Sequence, residues 1–594
     1  MRGLISLILC AIGASVVEGT RVQAANKHLS ELGTLKAKSL PKFLTNNPLP
    51  SGYPWGDRTA SNTNPKDAPS TGVTRHYDFT ISRGELAPDG YLKKSGILIN
   101  GQFPGPMIEA NWGDFIEVKV TNNITGPEEG TSLHWHGMLQ SGTPWYDGVP
   151  SVSQCPIAPG GSFTYRFQAS VYGTSWYHSH YSAQAAGGLF GALVVYGPSH
   201  VSYDEDVGPI LLADWFHKDY FNIVQNIMST NQSLWANPSD NTLINGRMPY
   251  NCSLVKDGTP CGNASYSQFK FTTGKTYRLR LINSGAAGME YFSIDGHQLT
   301  ISAIDLVDIV PYNVTVVTLG VGQRTDVLFT PNSNGTAKAI WMRTLQSGKY
   351  CQRAANPEGR AIILLNGAPE GSIPTTTAWP PPVDDGTCKN EPLENSVPYY
   401  VETLPEPSVT YTIVINSIIN ATGHQQYTMN GYPFMADYND PLLLLANEKN
   451  YSYPYNPEWN VINFDRNTSM RVVIWNNNTG PHPMHIHGHD MYVLYDGNEA
   501  WNGTIVNPQN PQRRDTHNLR PHGWMVMQYN ADNPGVWPFH CHIAWHLSMG
   551  LYVNLMENPQ EISQYEIPMV MKQTCDDWDQ YSSTHVVEQI DSGV

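Results

Sequence analysis

The stretch that decides the fold is His540-Cys541-His542-Ile543-Ala544-Trp545-His546, which lies near the end of a chain of 594 residues. Successive side chains of an extended strand point to opposite faces, so Cys541 points away from His540 and His542. One strand can therefore serve two metal sites. A cysteine thiolate with two imidazoles is the ligand set of a blue-copper electron-transfer site, and His546 is well placed to be one of these imidazoles.

The other imidazole is expected upstream, in His482-Pro483-Met484-His485-Ile486-His487-Gly488-His489. Two further His-x-His pairs follow the same alternation earlier in the chain. The four pairs are His134 and His136, His178 and His180, His485 and His487, and His540 and His542. A single pair of this kind is usually an accident of the surface or the core. Four pairs with an interleaved cysteine predict metal binding, and eight imidazoles suit three coppers.

These motifs resemble those of a known family. HWHG at 134–137, WYHSH at 176–180, HPMHIHGH at 482–489 and HCHIAWHLSMGL at 540–551 are similar to the four copper motifs of the multicopper oxidases. The similarity is greatest to the ascomycete laccases, and it runs from about residue 71 to the last residue. The resemblance implies an all-β chain of three cupredoxin-like Greek-key β-barrel domains. It also implies a cofactor of four copper ions, namely one type 1, one type 2 and two type 3.

The resemblance further implies a role for each ligand. Cys541, His482 and His546 would hold the type 1 copper, with Leu551 in the axial position, where leucine cannot ligate and should raise the potential. His134 and His485 would hold the type 2 copper. The ligands of the type 3 pair would be His136, His178, His180, His487, His540 and His542. Electrons would enter at His546 or His482, pass through Cys541 to His540 and His542, and reduce dioxygen to water.

Two acids are predicted to act in catalysis beside Cys541 and His546. Asp147 stands where laccases have a carboxylate near the type 2 copper that helps to deliver protons to oxygen, although an Asp-Gly turn alone would also favour it. Asp240 matches the laccase acid that accepts a hydrogen bond from a phenol. The alternative for Asp240 is an acid in a surface turn.

The amino-terminal residues predict secretion. Arg2 precedes an apolar run at 4–17 and small residues near 24, which is typical of a signal peptide. The run is too short to span a membrane, and no later stretch is long enough. We therefore expect a secreted, extracellular monomer. Several Asn-x-Ser/Thr sequons fit a glycosylated surface, among them Asn123, Asn251, Asn313, Asn420 and Asn477. The net charge of −16 argues against nucleic acid or anionic membranes as partners.

The cysteines predict three disulfides. Of the eight cysteines, Cys10 leaves with the signal peptide and Cys541 is assigned to copper, so six remain for pairing in a secreted chain. Cys252 and Cys261 are expected to close a local loop. The pairs Cys351 with Cys388 and Cys155 with Cys575 resemble the laccase pattern. The amino-terminal cysteine pair of that family is missing, so we expect residues 26–70 to be loosely held.

Alternating polar and apolar residues at 115–120, 277–281 and 470–474 predict strands, and the frequent turn residues between them indicate an all-β chain. The expected limits are a signal peptide at 1–24, an extension at 25–70, cupredoxin domains at 71–200, 201–370 and 401–560, a linker at 371–400 and a tail at 561–594. The final Asp591-Ser592-Gly593-Val594 resembles the laccase ending that plugs the solvent tunnel to the three-copper cluster. The alternative is a frayed terminus.

The strands expose an internal repeat. Residues 113–137, 274–296 and 467–488 each run from a strand through an Asn-rich turn to a motif that ends in glycine. The aligned motifs are His134-Trp135-His136, Ser293-Ile294-Asp295 and His485-Ile486-His487. The closing motif WYHSH likewise corresponds to WMRTL at 341–345 in the middle copy, which has therefore lost its ligands. A three-copper cluster must then be shared between the first and third domains, and the blue site lies wholly in the third.

The resulting hypothesis is a laccase, which oxidises phenolic substrates by one electron at a time and reduces dioxygen. A metal-ion oxidase is one alternative, although a carboxy-terminal membrane anchor, as in the membrane-bound fungal ferroxidases, is absent. Ascorbate and bilirubin oxidases are another, but they carry methionine where Leu551 stands. A non-enzymatic relative would be expected to lose ligands from the outer domains. Lignin phenols, melanin precursors and plant defence phenols would all suit the enzyme.

Overall fold

The computed structural model describes residues 21–45, 52–332, 337–347, 351–352, 354–380, 386–449, 456–466 and 468–594. Within these ranges the chain forms three successive pairs of β-sheets, so the predicted all-β fold class is confirmed. Most of the expected signal peptide and part of the Pro-rich linker lie outside the described residues. No helix in the described part of the chain is long and apolar enough to cross a membrane.

The first sheet pair covers the first copy of the predicted repeat. Its strands are β1 (Thr74–Leu86), β2 (Lys93–Ile99), β3 (Ile108–Asn111), β4 (Phe115–Asn122), β5 (His134–Trp135), β6 (Ser162–Gln168), β7 (Gly173–His178) and β8 (Phe190–Tyr196). The strand orders are β2-β1-β4-β6 and β3-β8-β7-β5. Every second side chain of β4 is buried, as the alternation predicts.

The second sheet pair follows directly. Its strands are β9 (Glu205–Trp215), β10 (Asn241–Ile244), β11 (Ser267–Phe271), β12 (Tyr277–Asn283), β13 (Glu290–Ile294), β14 (Leu299–Ile304), β15 (Val307–Val314), β16 (Val317–Leu319), β17 (Arg324–Phe329), β18 (Ala339–Gln346) and β19 (Glu358–Leu365). The strand orders are β10-β9-β12-β17-β14-β15 and β11-β19-β18-β13-β16. A separate apolar core fills the space between these two sheets.

The third sheet pair repeats the strand order of the second. Its strands are β20 (Val409–Ile419), β21 (Gln425–Met429), β22 (Val461–Asn463), β23 (Ser469–Asn476), β24 (His482–Ile486), β25 (Met491–Gly497), β26 (Gln512–Arg514), β27 (Thr516–Leu519), β28 (Trp524–Asn530), β29 (Gly535–Cys541) and β30 (Tyr552–Glu557). The strand orders are β21-β20-β23-β28-β25-β26 and β22-β30-β29-β24-β27. The exact domain limits stay a prediction.

Helices are short and lie outside the sheets. They are α1 (Tyr220–Ile227), α2 (Leu442–Asn447), α3 (Ala544–Ser548), α4 (Pro559–Ile562) and α5 (Met569–Ser582). Helix α3 begins three residues after β29 ends, and it turns His546 back toward Cys541. Helix α5 carries Cys575, whose disulfide with Cys155 joins the tail to the first sheet pair.

The strand register agrees with the predicted alignment of the three copies. His134 pairs with His178 between β5 and β7, and His485 pairs with His540 between β24 and β29. At the same place in the second sheet pair, Ser293 pairs with Arg343. Arg343 donates from Nε and an Nη atom to the two carboxylate oxygens of Asp295, at 2.8 and 3.0 Å. An ion pair therefore stands where the outer sheet pairs have histidines.

The expectation of a loosely held amino-terminal extension was wrong for the part that the structure describes. The amide of Ser30 donates to the carbonyl of Phe103, and the amide of Leu40 donates to that of Asp206, both at 2.8 Å. The Arg247 guanidinium also donates to the carbonyl oxygen of Ser30 at 2.6 Å. Backbone hydrogen bonds thus hold the segment where the family has a disulfide.

All three predicted disulfides form: Cys155 with Cys575, Cys252 with Cys261, and Cys351 with Cys388. The alternative of a frayed terminus was wrong, because the last four residues are buried. The amide of Ser592 donates to the carbonyl of Ser548, and the amide of Ser182 donates to that of Gly593. Ser182 and Ser548 belong to the first and third sheet pairs, so the tail lies between them.

Candidate metal centres

Two clusters of predicted ligands lie on opposite faces of strand β29. We call the cluster of Cys541, His482 and His546 the thiolate site. We call the eight paired histidines the trinuclear group: His134, His136, His178, His180, His485, His487, His540 and His542. Its members come from the first and third sheet pairs, as the sequence predicted.

The thiolate site has the geometry of a three-coordinate soft-metal site. The Sγ atom of Cys541 lies 3.5 Å from Nδ1 of His482 and 3.6 Å from Nδ1 of His546, and these two nitrogens are 3.1 Å apart. Cys541 is fully buried, and burial raises the pKa of its thiol. A bound cation would be needed to keep the thiolate there.

Leu551 is hydrogen-bonded through its backbone to two residues of the thiolate site. Its side chain is fully buried, its carbonyl accepts from the amide of Cys541, and its amide donates to the carbonyl of His546, both at 3.1 Å. These bonds join the backbone of Leu551 to that of Cys541 and His546. The predicted axial role of Leu551 agrees with this position and stays a prediction.

The trinuclear group leaves several buried nitrogens without a hydrogen-bond partner. Nε2 of His134, of His178 and of His485 are buried and unpaired. Nε2 of His540 lies 3.1 Å from Nε2 of His487 and 3.4 Å from Nε2 of His180. Nε2 of His542 faces Nδ1 of His136 at 3.3 Å. Buried polar atoms are costly without partners, so converging nitrogen atoms of this kind fit bound metal ions.

The outward nitrogens of most of these imidazoles are fixed by oxygen atoms. Nδ1 donates to a backbone carbonyl in four cases: His134 to Asp147 at 2.8 Å, His178 to Ser179 at 3.0 Å, His485 to Asp515 at 3.0 Å and His540 to Cys541 at 3.0 Å. Such bonds set the tautomer and ring orientation of metal-binding histidines. Burial lowers the pKa of His178 to about 3 and that of His540 to about 4, so both rings are neutral and able to ligate.

Asp147 connects ligands of the two outer sheet pairs. Its Oδ2 accepts from Nδ1 of His487 at 2.9 Å, and its Oδ1 lies 3.3 Å from Nδ1 of His134. The side chain is buried, and Oδ1 forms no further hydrogen bond with protein. This carboxylate is therefore placed to orient two imidazoles and to accept a proton at Oδ1.

Asp240 lies apart from both clusters. Its Oδ2 accepts from the amide of His217 at 2.8 Å, and about a third of its side chain is exposed. Among the described residues it forms no hydrogen bond with a predicted ligand. Phe216, which precedes His217, packs its ring 5.3 Å from that of Trp545 in helix α3. Asp240 is thus linked to the neighbourhood of His546 only through this packing.

Two residues near the clusters were not predicted from the sequence. The ring of Tyr427 lies 4.7 Å from that of His546 and 5.4 Å from that of His482. Oδ1 of Asp515 accepts from Nε2 of His136 at 3.0 Å. Nothing in the strand pattern around Tyr427 marks it, whereas the charged run Arg513-Arg514-Asp515 in a region of buried strands could have marked Asp515.

Comparison with protein families gives one family over most of the chain. Three models described as multicopper oxidase match residues 80–200, 206–368 and 421–561. These matches fall on the three sheet pairs in turn. The predicted cupredoxin-like fold of the three sheet pairs agrees with these family matches.

Individual relatives are similar over nearly their whole length. The chain is 38% identical to "Laccase-2" of Botryotinia fuckeliana, over 91% of this chain and 92% of that protein. It is 37% identical to "Oxidoreductase OpS5" of Beauveria bassiana, over 91% of each. The crystal structure of a laccase from Botrytis aclada has 36% sequence identity and a TM-score of 0.82, and the match covers 91% of this chain and 100% of that one.

Proposed function

The chain belongs to the multicopper oxidases, and we propose that within this family it is a laccase, which oxidises phenolic and related aromatic substrates and reduces dioxygen to water. The observation that carries the proposal is strand β29. Cys541 faces the thiolate site while His540 and His542 face the trinuclear group. A peptide bond on each side of Cys541 therefore connects the two clusters. Relatives named laccase support the choice of substrate class.

The donor atoms fit the copper ions that the family implies. We propose that Cys541, His482 and His546 hold the type 1 copper and that His134 and His485 hold the type 2 copper. The type 3 pair would be held by His136, His178, His180, His487, His540 and His542. When bound, the four coppers accept single electrons from the substrate and deliver four of them to dioxygen. Thiolate and imidazole donors suit this metal better than the oxygen donors that harder cations prefer.

The protein holds and shields these centres. Cys541 and His482 are fully buried, whereas His546 is partly exposed and offers its ring edge to a substrate. Trp545 and Phe216, whose rings pack 5.3 Å apart, and Leu551 are buried. We propose that Asp240 accepts a hydrogen bond from the phenol hydroxyl, and that Asp147 passes protons to oxygen at Oδ1. The partners are then dioxygen and a phenol.

Metal analysis and parallel rate measurements test this function. We expect about four coppers per chain after full loading, because every donor of the two clusters is in place. We expect turnover of a phenol to exceed that of ferrous iron and of ascorbate. Two or fewer coppers would contradict the proposed centres, and faster oxidation of iron would indicate a metal-ion oxidase.

The location and surface of the protein belong to the same proposal. We propose a secreted, glycosylated monomer that binds neither membranes nor nucleic acid. Of the five sequon asparagines named above, four are exposed and one is partly exposed, which suits modification: Asn123, Asn251, Asn313 and Asn477 in the first group, and Asn420 in the second. The net charge of −16 fits a protein that anionic polymers repel.

The buried tail is proposed to close the approach to the trinuclear group. Oδ2 of Asp591 accepts from Oγ of Ser182 at 2.7 Å and from Oγ of Ser548 at 2.9 Å. Ser182 lies two residues after His180, and Ser548 lies two residues after His546. The tail therefore contacts the segments that carry ligands of both clusters.

Removing residues 591–594 is expected to change oxygen kinetics or copper retention more than the Michaelis constant for a phenol, because Asp591 is hydrogen-bonded to Ser182, close to His180. Oxygen consumption and copper content measure the effect. A matched control is Val586→Ala, at a tail residue that is 91% exposed. If the shortened protein matches the control in both measurements, the tail is not a plug.

A further inference from the structure

The second sheet pair, which contains none of the predicted ligands, contacts the trinuclear group through the turn between β16 and β17. Residues 320–323 connect β16 to β17, and Gly322 has a left-handed φ of 85°. A Cβ atom at Gly322 would lie 2.9 Å from Cδ2 of His542 and 3.2 Å from Cε1 of His136. The backbone of this turn therefore packs directly against one imidazole from each outer sheet pair.

Arg324, the first residue of β17, joins all three sheet pairs. Its side chain is fully buried, and one Nη atom donates to Oδ1 of Asp515 in the third sheet pair at 2.6 Å. The other Nη atom donates to Oδ2 of the same carboxylate. Its Nε donates to the carbonyl of Thr174 in the first sheet pair at 3.2 Å. Such a bidentate pair fixes both the position and the plane of a carboxylate.

The carboxylate that Arg324 holds supports ligands from both outer sheet pairs. Oδ1 of Asp515 accepts from Nε2 of His136 at 3.0 Å, and its backbone carbonyl accepts from Nδ1 of His485 at 3.0 Å. Asp305, also from the second sheet pair, accepts from the amides of Asp515 and Thr516 at 3.2 and 3.3 Å. Side chain and backbone of Asp515 are thus both fixed from the second sheet pair.

We propose that Arg324 and the turn at 320–323 are positioning elements of the trinuclear group, so that the second sheet pair sets the orientation of His136 and His485 through Asp515. This inference rests on the proposed function, because it concerns the copper ions that those histidines would hold. Without the guanidinium, the carboxylate loses two charge-assisted hydrogen bonds and its partner ion in a buried place. It would then no longer hold the His136 ring in one orientation.

The protein contains a matched control for this role. Arg343 also forms a two-point ion pair with an aspartate, Asp295, inside the second sheet pair. In the strand register it stands where the outer copies have His178 and His540. None of its hydrogen bonds reaches a histidine of the trinuclear group. Arg324→Met and Arg343→Met therefore remove the same kind of interaction, with and without a path to the trinuclear group.

The first experiment measures copper retention in the full chain during titration with a chelator. We expect Arg324→Met to weaken retention of the type 2 and type 3 coppers by about 10- to 100-fold, the range found when partners of metal ligands are removed. The type 2 electron paramagnetic resonance signal should change with it, while the blue absorption of the thiolate site persists. Arg324→Lys should recover part of the loss, and Arg343→Met should retain copper like the unaltered protein.

If Arg324→Met does not fold, a second pair of variants tests whether the turn positions the trinuclear group. Gly322→Ala and Gly274→Ala carry a similar backbone penalty, since Gly274 has a φ of 81°, but a Cβ at Gly274 meets nothing within 4 Å. We expect only Gly322→Ala to change the type 2 signal. Unaltered protein that fails to load four coppers would overturn the proposed function. Fully loaded protein whose Arg324 and Gly322 variants match their controls would overturn this inference alone.

Discussion

Replacing Cys541 by serine is expected to abolish the blue absorption and to lower turnover of a phenol by more than about 100-fold, the upper range for loss of a group that only supports a ligand. The sulfur is the one soft donor of the thiolate site, 3.5 Å from His482 and 3.6 Å from His546. A serine hydroxyl is a hard, neutral donor that does not replace a thiolate. The expected loss is therefore one of electron transfer.

The fold of the Cys541→Ser protein should be intact. In the first sheet pair Ser179 stands between His178 and His180, and that strand places both imidazoles in the trinuclear group. About three coppers per chain should remain, because His540 and His542 face away from the altered side chain. Absorption spectra, copper analysis and circular dichroism check the three statements. A blue, active variant would refute the assignment of the thiolate site.

Asp147→Asn is expected to slow reoxidation of the reduced enzyme by dioxygen by about 100- to 10,000-fold, the usual contribution of a positioned proton donor or acceptor. The amide oxygen can still accept from Nδ1 of His487, so the imidazole keeps its orientation and copper content should be unchanged. The amide cannot carry a proton at the position of Oδ1. Only the steps that need protons should slow.

Stopped-flow measurements separate the two half-reactions. A phenol added without oxygen should bleach the blue absorption at the normal rate, and the colour should return slowly when oxygen is admitted. Asp240→Asn is the comparison variant, because its carboxylate lies outside the trinuclear group and is expected to affect only the bleaching by a phenol. Reoxidation of Asp147→Asn at the rate of the unaltered enzyme would exclude a proton-transfer role.

The ligands could be predicted from the sequence because their pattern is local. Alternation along one strand assigns Cys541 and its flanking histidines to opposite faces, and the structure keeps these assignments. The predicted alignment of the three copies agrees with the register, which pairs Ser293 with Arg343 in the copy without ligands. The alternation of side chains depends only on neighbouring residues of one strand, so it does not require knowledge of how distant parts of the chain pack.

The supports of the ligands could not be predicted, because they depend on distant partners. Arg324 and Asp515 are separated by 191 positions, and nothing near either residue marks the other as its partner. The prediction of a loosely held amino-terminal extension was wrong for a similar reason. Its hydrogen bonds join backbone atoms of Ser30 and Leu40 to carbonyls far along the chain, which no side-chain pattern records.

The disulfide between Cys155 and Cys575 has a consequence for how the molecule can come apart. The two cysteines are separated by 420 positions, and the second and third sheet pairs lie wholly within that span. In topological terms residues 155–575 form a closed covalent ring, and the chain before and after them forms two linear ends. A single proteolytic cut anywhere in the ring opens it without releasing a fragment. After one such cut, separation of the chain into two pieces requires a reductant as well as the protease.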